Sequence, residues 1–469
     1  MAKTNQLGLD DAGLSRFADR MRDEGLPEIA TRSFLEALCF VSGGGATTIP
    51  EESIEPVESL PDARQLGEFA EAGRKAASKT VVIKLNGGLG TSMGLSKAKS
   101  LLPVRPGLSF LDLIARQILW QRENWGSELP LVLMNSYRTR DDSLAALAAH
   151  SDLSTGIPLD FIQHKVPRID AESWSPVEWP DDESLAWCPP GHGDIYIALE
   201  SSGMLQTLRS QGIRYAFMSN ADNLGAVLDP SILGWFSSKN IPFAMEVAQR
   251  TESDKKGGHL AKRGGRLMLR ETAQCSEADV DAFQDIDRHH YFNTNNLWID
   301  LDVLASRLDA SDSGLPLPVM KNVKHVQPKD SSSPVCYQLE TAMGSAIECF
   351  EGAEAIVVSR ERFAPVKTTN DLLSLWSDAY EVSEDARMIP TDAEASRIRV
   401  IDLDANYYKH VDDLQARFPA GAPSLAKCQR FSVSGDHRFG ADVSIVGSVA
   451  LVNESDVPVV IPDGAVLRG

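Results

Sequence analysis

The densest signal for chemistry is Leu85-Asn86-Gly87-Gly88-Leu89-Gly90-Thr91-Ser92-Met93-Gly94. Its glycines let backbone come close to a nucleotide and aim N–H groups at phosphate oxygens. The spacing fits neither a Walker A loop nor G-x-G-x-x-G. Lys97 and Lys99 follow at once and supply positive charge where a triphosphate would lie. The alternative is a tight turn that only lets a strand and a helix pack. A second signal is Trp187-Cys188-Pro189-Pro190-Gly191-His192-Gly193-Asp194. Two prolines stiffen this loop, and two glycines leave one imidazole between unhindered backbones. A histidine without those glycines would pass for a core residue.

Three further groups are plausible in chemistry and weaker alone. Ser219-Asn220-Ala221-Asp222-Asn223 offers a carboxylate suited to Mg²⁺, which takes one or two carboxylates plus substrate phosphates. Asp and Asn serve equally as helix N-caps. Phe292-Asn293-Thr294-Asn295-Asn296-Leu297-Trp298 is a dense amide cluster suited to sugar hydroxyls, or to turns. Lys367, in Pro365-Val366-Lys367-Thr368-Thr369-Asn370-Asp371, is a point charge for phosphate or an ordinary surface lysine.

The elements that must hold these residues alternate in type. Thr80-Val81-Val82-Ile83-Lys84-Leu85, Leu131-Val132-Leu133-Met134 and Tyr215-Ala216-Phe217-Met218 are short strand-like runs that end in polar residues. Helical patterns such as 110–118 lie between them. That alternation predicts a mostly parallel sheet covered on both faces, with ligands outside the carboxyl ends of its strands. Upstream, Leu14, Phe17, Ala18 and Met21, then Ile29, Phe34, Leu38 and Val41, predict two short helices broken at Gly25-Leu26-Pro27. Residues 50–62 are acidic and rich in proline, and composition predicts a solvated connector. Residues 431–469 are short β-rich pieces with small-residue turns, which suit a short β-solenoid or an antiparallel meander equally. The expected divisions are 1–76, a helical segment with its acidic linker; 77–375, the catalytic domain; and 376–469, a connector with a β domain.

Composition narrows the function classes. The chain has 469 residues, 43% of them hydrophobic and 24% charged, which excludes disorder and fibrous repetition. Against 46 Lys and Arg stand 66 Asp and Glu, a net charge of −20, which argues against nucleic-acid binding through a basic face. None of the six cysteines stands in a C-x-x-C pair, so metal-finger and redox-pair readings fail and free thiols in a reducing cytoplasm are expected. No apolar run is long enough to span a membrane, and the first residues lack the apolar core of a secretion signal.

In this order, the motifs resemble the eukaryotic-type UTP–glucose-1-phosphate uridylyltransferase (UDP-glucose pyrophosphorylase) family. The pieces are LNGGLGTSMG at 85–94, FIQHKVPRI at 161–169, PPGHGDIY at 189–196, SNADNLGA at 219–226, KKGGHL at 255–260, NTNNLW at 293–298, QLETAMGSAI at 338–347 and PVKTTNDLL at 365–373. The tail VSGDHRFGADVSIVG is similar to the family's C-terminal β-helix. Related N-acetylhexosamine enzymes carry Gln and Arg where Leu89 and Ser92 stand, which favours the glucose 1-phosphate branch. This chain departs from the family at Lys97-Ala98, where Gly-Pro is usual, and at His164-Lys165, where Ser-Arg is common.

The resemblance implies a Rossmann-like nucleotidyltransferase domain of GT-A type, with a mixed, mostly parallel sheet. It adds an N-terminal helical segment and a short left-handed β-helix domain at the C-terminus. It implies that UTP and glucose 1-phosphate give UDP-glucose and pyrophosphate. The nucleotide would be met by Leu85, Asn86, Gly87 and Gly88, with Gln163 and the Gly191 main chain on the uracil and Asn220 on the nucleotide-sugar. Gly258, Glu271, Asn293 and Asn295 would surround the glucose. Lys99, His192 and Lys367 would serve catalysis, and Asp222 would hold Mg²⁺. A homo-oligomer stays open, as does a pyrophosphorylase for galactose 1-phosphate or N-acetylglucosamine 1-phosphate. A non-catalytic sugar-nucleotide sensor is disfavoured because Asp222, Lys99 and Lys367 are all present.

Overall fold

The computed structural model describes residues 9–328, 330–392 and 399–469. Residues 1–8, read above for a secretion signal, and part of the connector lie outside the described set. Two helices, Asp11–Asp23 and Glu28–Ser42, come first. Asp10 caps one by accepting from the Gly13 N–H at 2.8 Å, and Gly25, at φ +74°, makes the reversal before Pro27. Phe17, Met21, Phe34, Leu38 and Val41 bury together against Val166, Ile169, Trp187, Cys336 and Leu339.

The acidic stretch 50–62 is not a solvated connector. Ile54 and Val57 are buried, and Glu55–Pro56 pairs antiparallel with the strand His259–Arg263. Glu51 accepts from Arg288 Nε at 2.7 Å and from His289 Nε2 at 2.9 Å, and it pairs with the buried Arg270. Composition misled here because a carboxylate follows its cationic partners inward. Arg270 lies 219 residues further along the chain.

The central sheet has a parallel half and an antiparallel half. In space the parallel strands run Asp160–Ile162, Leu131–Asn135, Thr80–Asn86, Tyr215–Asn220. Numbered along the chain that order is 3-2-1-4, so the winding reverses between the Thr80 and Tyr215 strands. A crevice forms at the carboxyl side of such a switch point. The long strand Tyr291–Asp300 continues the sheet antiparallel to Tyr215–Asn220, and Phe243–Gln249 lies on its far side.

Alternation places the side chains. Val82, Leu131, Leu133 and Phe217 face one core with the helix residues Phe110, Ile114 and Ile118. Val81, Ile83, Val132, Met134 and Met218 face the other with Ile195, Tyr196 and Leu199. Covering on both faces explains why these strands read as continuous apolar runs.

At the C-terminus, Val400–Leu403, Cys428–Ser434, Ser444–Val452 and Val466–Arg468 stack in parallel, as do His437–Phe439 and Val459–Ile461. Parallel rungs exclude the meander and give a β-helix-like coil. Phe431, Val433, Phe439, Val443 and Ile445 join the same hydrophobic cluster as Phe110 and Phe217.

Candidate functional site

A cleft of about 290 Å³ opens at the switch point, lined by Leu85, Asn86, Gly87, Gly88, Lys99, Gln163, Gly191, His192, Asn220 and Asp222. A larger groove of about 1140 Å³ lies between the first helix and the segment around Trp179. It lies away from the carboxyl ends of the central strands, so the smaller cleft is the better candidate.

The glycine loop leaves the Thr80 strand directly into this cleft. The Asn86 side chain turns inward and donates to Asn135 Oδ1 and Ser143 Oγ, both at 2.8 Å. Its amide therefore braces the loop rather than facing the cleft. Gly87 lies flat under Gln163, since a Cβ there would sit 2.7 Å from both amide atoms of that side chain. The Lys99 N–H donates to Gly88 O at 3.1 Å and closes the loop. Gly94 brings the loop's far end against His410 of the C-terminal connector.

Gly191, at φ +84°, lets the Pro-Pro loop turn tightly over Thr341, whose carbonyl a Cβ would meet at 2.4 Å. The next residue, His192, accepts at Nδ1 from the Met343 N–H at 2.9 Å. Its ring proton is therefore on Nε2, a neutral donor at the cleft wall. Burial pushes the imidazole pKa down to about 4, so the ring stays neutral around pH 7.

Asp222 and Lys99 form an ion pair at 2.7 Å through Asp222 Oδ2. Asp222 Oδ1 is buried and has no partner among the described residues. A desolvated carboxylate oxygen without a donor is costly, and a cation would satisfy it. No group of three His, Cys, Asp or Glu side chains that could hold a metal ion occurs among the described residues. One carboxylate plus substrate phosphates suits Mg²⁺ rather than a caged transition metal.

The other expected residues form a second group beside the cleft. Gly258 lies close under the Glu271 carboxylate, since a Cβ there would sit 2.5 Å from Glu271 Oε2. The Asn293 N–H donates to Gly258 O at 3.1 Å, and its Nδ2 donates to Asn295 Oδ1 at 2.9 Å. Pairing with the Phe243 strand jumps from Asn296 to Asn293, so Thr294 and Asn295 bulge out, and Asn295 takes φ +57°. Asn tolerates that conformation better than most residues, which is a reason for the amide-rich sequence here. Burial raises the Glu271 pKa, opposed by a hydrogen bond from Asn293 and the charge of Lys367.

Lys367 is exposed, and its loop is anchored to the cleft. The Val366 N–H donates to Asp222 O at 3.2 Å. Asn223 Nδ2 donates to Arg362 O at 3.0 Å, and Asn223 Oδ1 accepts from the Ala364 N–H at 3.0 Å. Below them the fully buried Glu246 accepts from Arg362 Nε and Nη2 at 2.9 and 2.7 Å, from Asn296 Nδ2 at 2.9 Å and from Trp298 Nε1 at 3.0 Å. Lys84 supports the same floor, donating to Ser219 Oγ at 2.8 Å and Ala226 O at 2.6 Å. Burial drives its pKa down to about 7. Sequence reasoning gave Asn223, Glu246, Arg362 and Lys84 no role. Asn223 stood inside a quoted motif, whereas Glu246 and Arg362 carry no local signal because their partners are distant.

A glycine loop at a switch-point crevice, with Lys99 beside it, is the arrangement of a nucleotide-binding α/β protein. The family model described as UTP–glucose-1-phosphate uridylyltransferase matches residues 36–446. The chain is 39% identical over 429 residues to the uridylyltransferase of Hordeum vulgare, covering 90% of this chain and 86% of the relative. With that of Solanum tuberosum it is 35% identical, covering 99% and 95%. It superposes with a TM-score of 0.90 on a UDP-glucose pyrophosphorylase variant from Leishmania major solved in complex with UDP-glucose, at 42% identity and coverage of 98% and 99%. The chain belongs to the UTP–glucose-1-phosphate uridylyltransferase family.

Proposed function

We propose that the protein makes UDP-glucose and pyrophosphate from UTP and glucose 1-phosphate. The observation that carries this reading is the cleft at the 3-2-1-4 switch point, with the glycine loop, Gln163 and the Lys99–Asp222 pair around it and the amide cluster beside it. The Leishmania major relative's complex with UDP-glucose supports the same substrate class.

A phosphate oxygen of glucose 1-phosphate attacks the α-phosphorus of UTP in line, and pyrophosphate leaves. No covalent enzyme intermediate is needed, so the protein's task is positioning and charge neutralisation. The base lies against Gly87 and Gly88, where the Gln163 amide and the Gly191 main chain offer donors and acceptors to uracil. Leu85 and Asn220 border the nucleotide. The His192 Nε2–H donates to the phosphate region from a neutral ring. Gly258, Glu271, Asn293 and Asn295 receive the glucose hydroxyls.

Mg²⁺ would be held by Asp222 together with the substrate phosphates, and a divalent cation there neutralises triphosphate charge. Lys99 and Lys367 supply the remaining positive charge. The six cysteines are all free, which supports a cytoplasmic setting, and no described helix is long and apolar enough to cross a membrane. The test is UDP-glucose formation from UTP and glucose 1-phosphate with Mg²⁺, against galactose 1-phosphate and N-acetylglucosamine 1-phosphate as competitors. Faster turnover of either competitor would overturn the glucose assignment.

A further inference from the structure

Beside the cleft, Asp194, His164 and Ser201 form a chain of hydrogen bonds. Asp194 Oδ1 lies 2.8 Å from His164 Nδ1, and His164 Nε2 lies 3.0 Å from Ser201 Oγ. These spacings are those of a Ser-His-Asp hydrolase, yet the surroundings exclude that chemistry. The His164 and Asp194 side chains are 8% and 3% exposed, so substrate has no access to them. Ser201 ends a seven-residue helix, and the neighbouring N–H groups are taken: Ser202 donates to Ala198 O at 3.1 Å and Gly203 to Glu200 O at 3.0 Å. Neither of these N–H groups is left to stabilise an oxyanion.

The same carboxylate makes a second bond that a hydrolase would not need. Asp194 Oδ2 accepts from the His164 backbone N–H at 2.7 Å. One carboxylate thus grips residue 164 by both main chain and ring. The preceding residue is Gln163, whose own N–H donates to Asn135 O at 2.8 Å. Gln163 is pinned on both sides, while its side-chain amide stays free of protein partners among the described residues. Successive residues of an extended chain point to opposite sides, so rotation at 164 would swing the 163 amide. Asp194 itself closes the Gly191-His192 turn, its N–H donating to Gly191 O at 3.3 Å.

We propose that Asp194 and His164 are positioning residues for nucleobase selection, holding Gln163 and the Gly191 turn at one spacing across the uracil edge. This rests on the reading that Gln163 meets the uracil. It also accounts for the histidine at position 164: its ring reaches the Asp194 carboxylate and Ser201 together. Neither residue touches substrate.

The experiment compares kcat/KM for UTP, CTP and TTP in the wild type and in Asp194→Asn, His164→Ala, His164→Asn and Gln163→Ala. Asp194→Asn removes the charge and leaves one acceptor oxygen for two donors unless the His164 ring changes tautomer, and His164→Ala removes the ring. Each should lower the preference for UTP over CTP by roughly tenfold, since small misplacements of a positioning group are costly. The KM for glucose 1-phosphate should stay within about twofold. His164→Asn keeps a side-chain donor for Asp194 and should restore part of the preference. Adding Asp194→Asn to Gln163→Ala should cost no further preference. An equal loss for all three nucleotides, with the preference intact while Gln163→Ala lowers it, would show a purely structural pair and overturn the inference. A preference unchanged by Gln163→Ala would remove the uracil reading, and the inference with it. If Asp194→Asn does not fold, the two His164 variants decide the matter alone.

Discussion

Lys99 and Asp222 meet at 2.7 Å across the cleft, and the bond leaves the other Asp222 oxygen buried and without a partner among the described residues. A pair made only for stability would satisfy both oxygens, for instance with a forked arginine as at Glu246 and Arg362. Lys99 instead neutralises one oxygen of the carboxylate and leaves the other for the proposed Mg²⁺.

Asp222→Asn should therefore abolish most turnover and leave the fold intact. The amide keeps the shape and binds Mg²⁺ poorly. Isothermal titration should show weak UTP binding in Mg²⁺, with no rescue by excess Mg²⁺. Wild-type-like turnover would remove the metal assignment.

Replacing Gln163 by Ala or Glu should relax discrimination between UTP and the other pyrimidine triphosphates. Loss of a donor–acceptor pair in a desolvated pocket costs about 1–3 kcal/mol. The ratio of kcat/KM for UTP to that for CTP is the readout. Ratios unchanged in both variants would mean that the base is read elsewhere.

Lys367→Met should reduce kcat by about 10²-fold or more, the scale of losing one charge-stabilising group. The side chain is exposed and the loop is held by Val366, Asn223 and Ala364, so circular dichroism should remain native. Retention of more than about half the wild-type kcat/KM for both substrates would return Lys367 to the ordinary surface.

His192 gives a pH prediction with a definite sign. Its folded pKa, about 4, lies below the ordinary 6.5, so the unfolded chain binds more protons between those values. Stability should fall as pH drops through that window, by an amount on the order of 1–3 kcal/mol from this group. Protonation would also break the bond from Met343. His192→Gln should flatten the slope of stability against pH between about 6.5 and 4 in denaturant titrations. An unchanged slope would mean that the ring is not held neutral by burial.

Much of the cleft was legible because its residues come in short local runs. The Gly87-Gly88 turn, the Gly191 turn and Asp222 just after a strand each follow from the backbone freedom or donor set of a few adjacent residues, whereas Gln163 came only from the family resemblance and its place over Gly87 needs the fold. Asn86 came with the glycine motif, while the inward turn of its amide depends on Asn135 and Ser143, which are distant in sequence. The acidic segment misled for the same reason, since the worth of Glu51 depends on Arg270, Arg288 and His289. Glu246 and Arg362 are 116 residues apart and lacked any signal at all. Chemistry written in adjacent letters can be read directly, whereas electrostatic partnerships across the chain require the fold.

The hydrophobic cluster shared by the sheet and the terminal coils has a consequence for biosynthesis. Phe110 and Phe217 pack in the same core as Phe431, Phe439 and Ile461. His410 also closes on Gly94 of the nucleotide loop. A chain emerging from its N-terminus thus carries an unfinished core until its last coils are made. Contacts of such long sequence separation form late and slowly. The nascent protein must keep that apolar face from its neighbours until the coils that cover it are made.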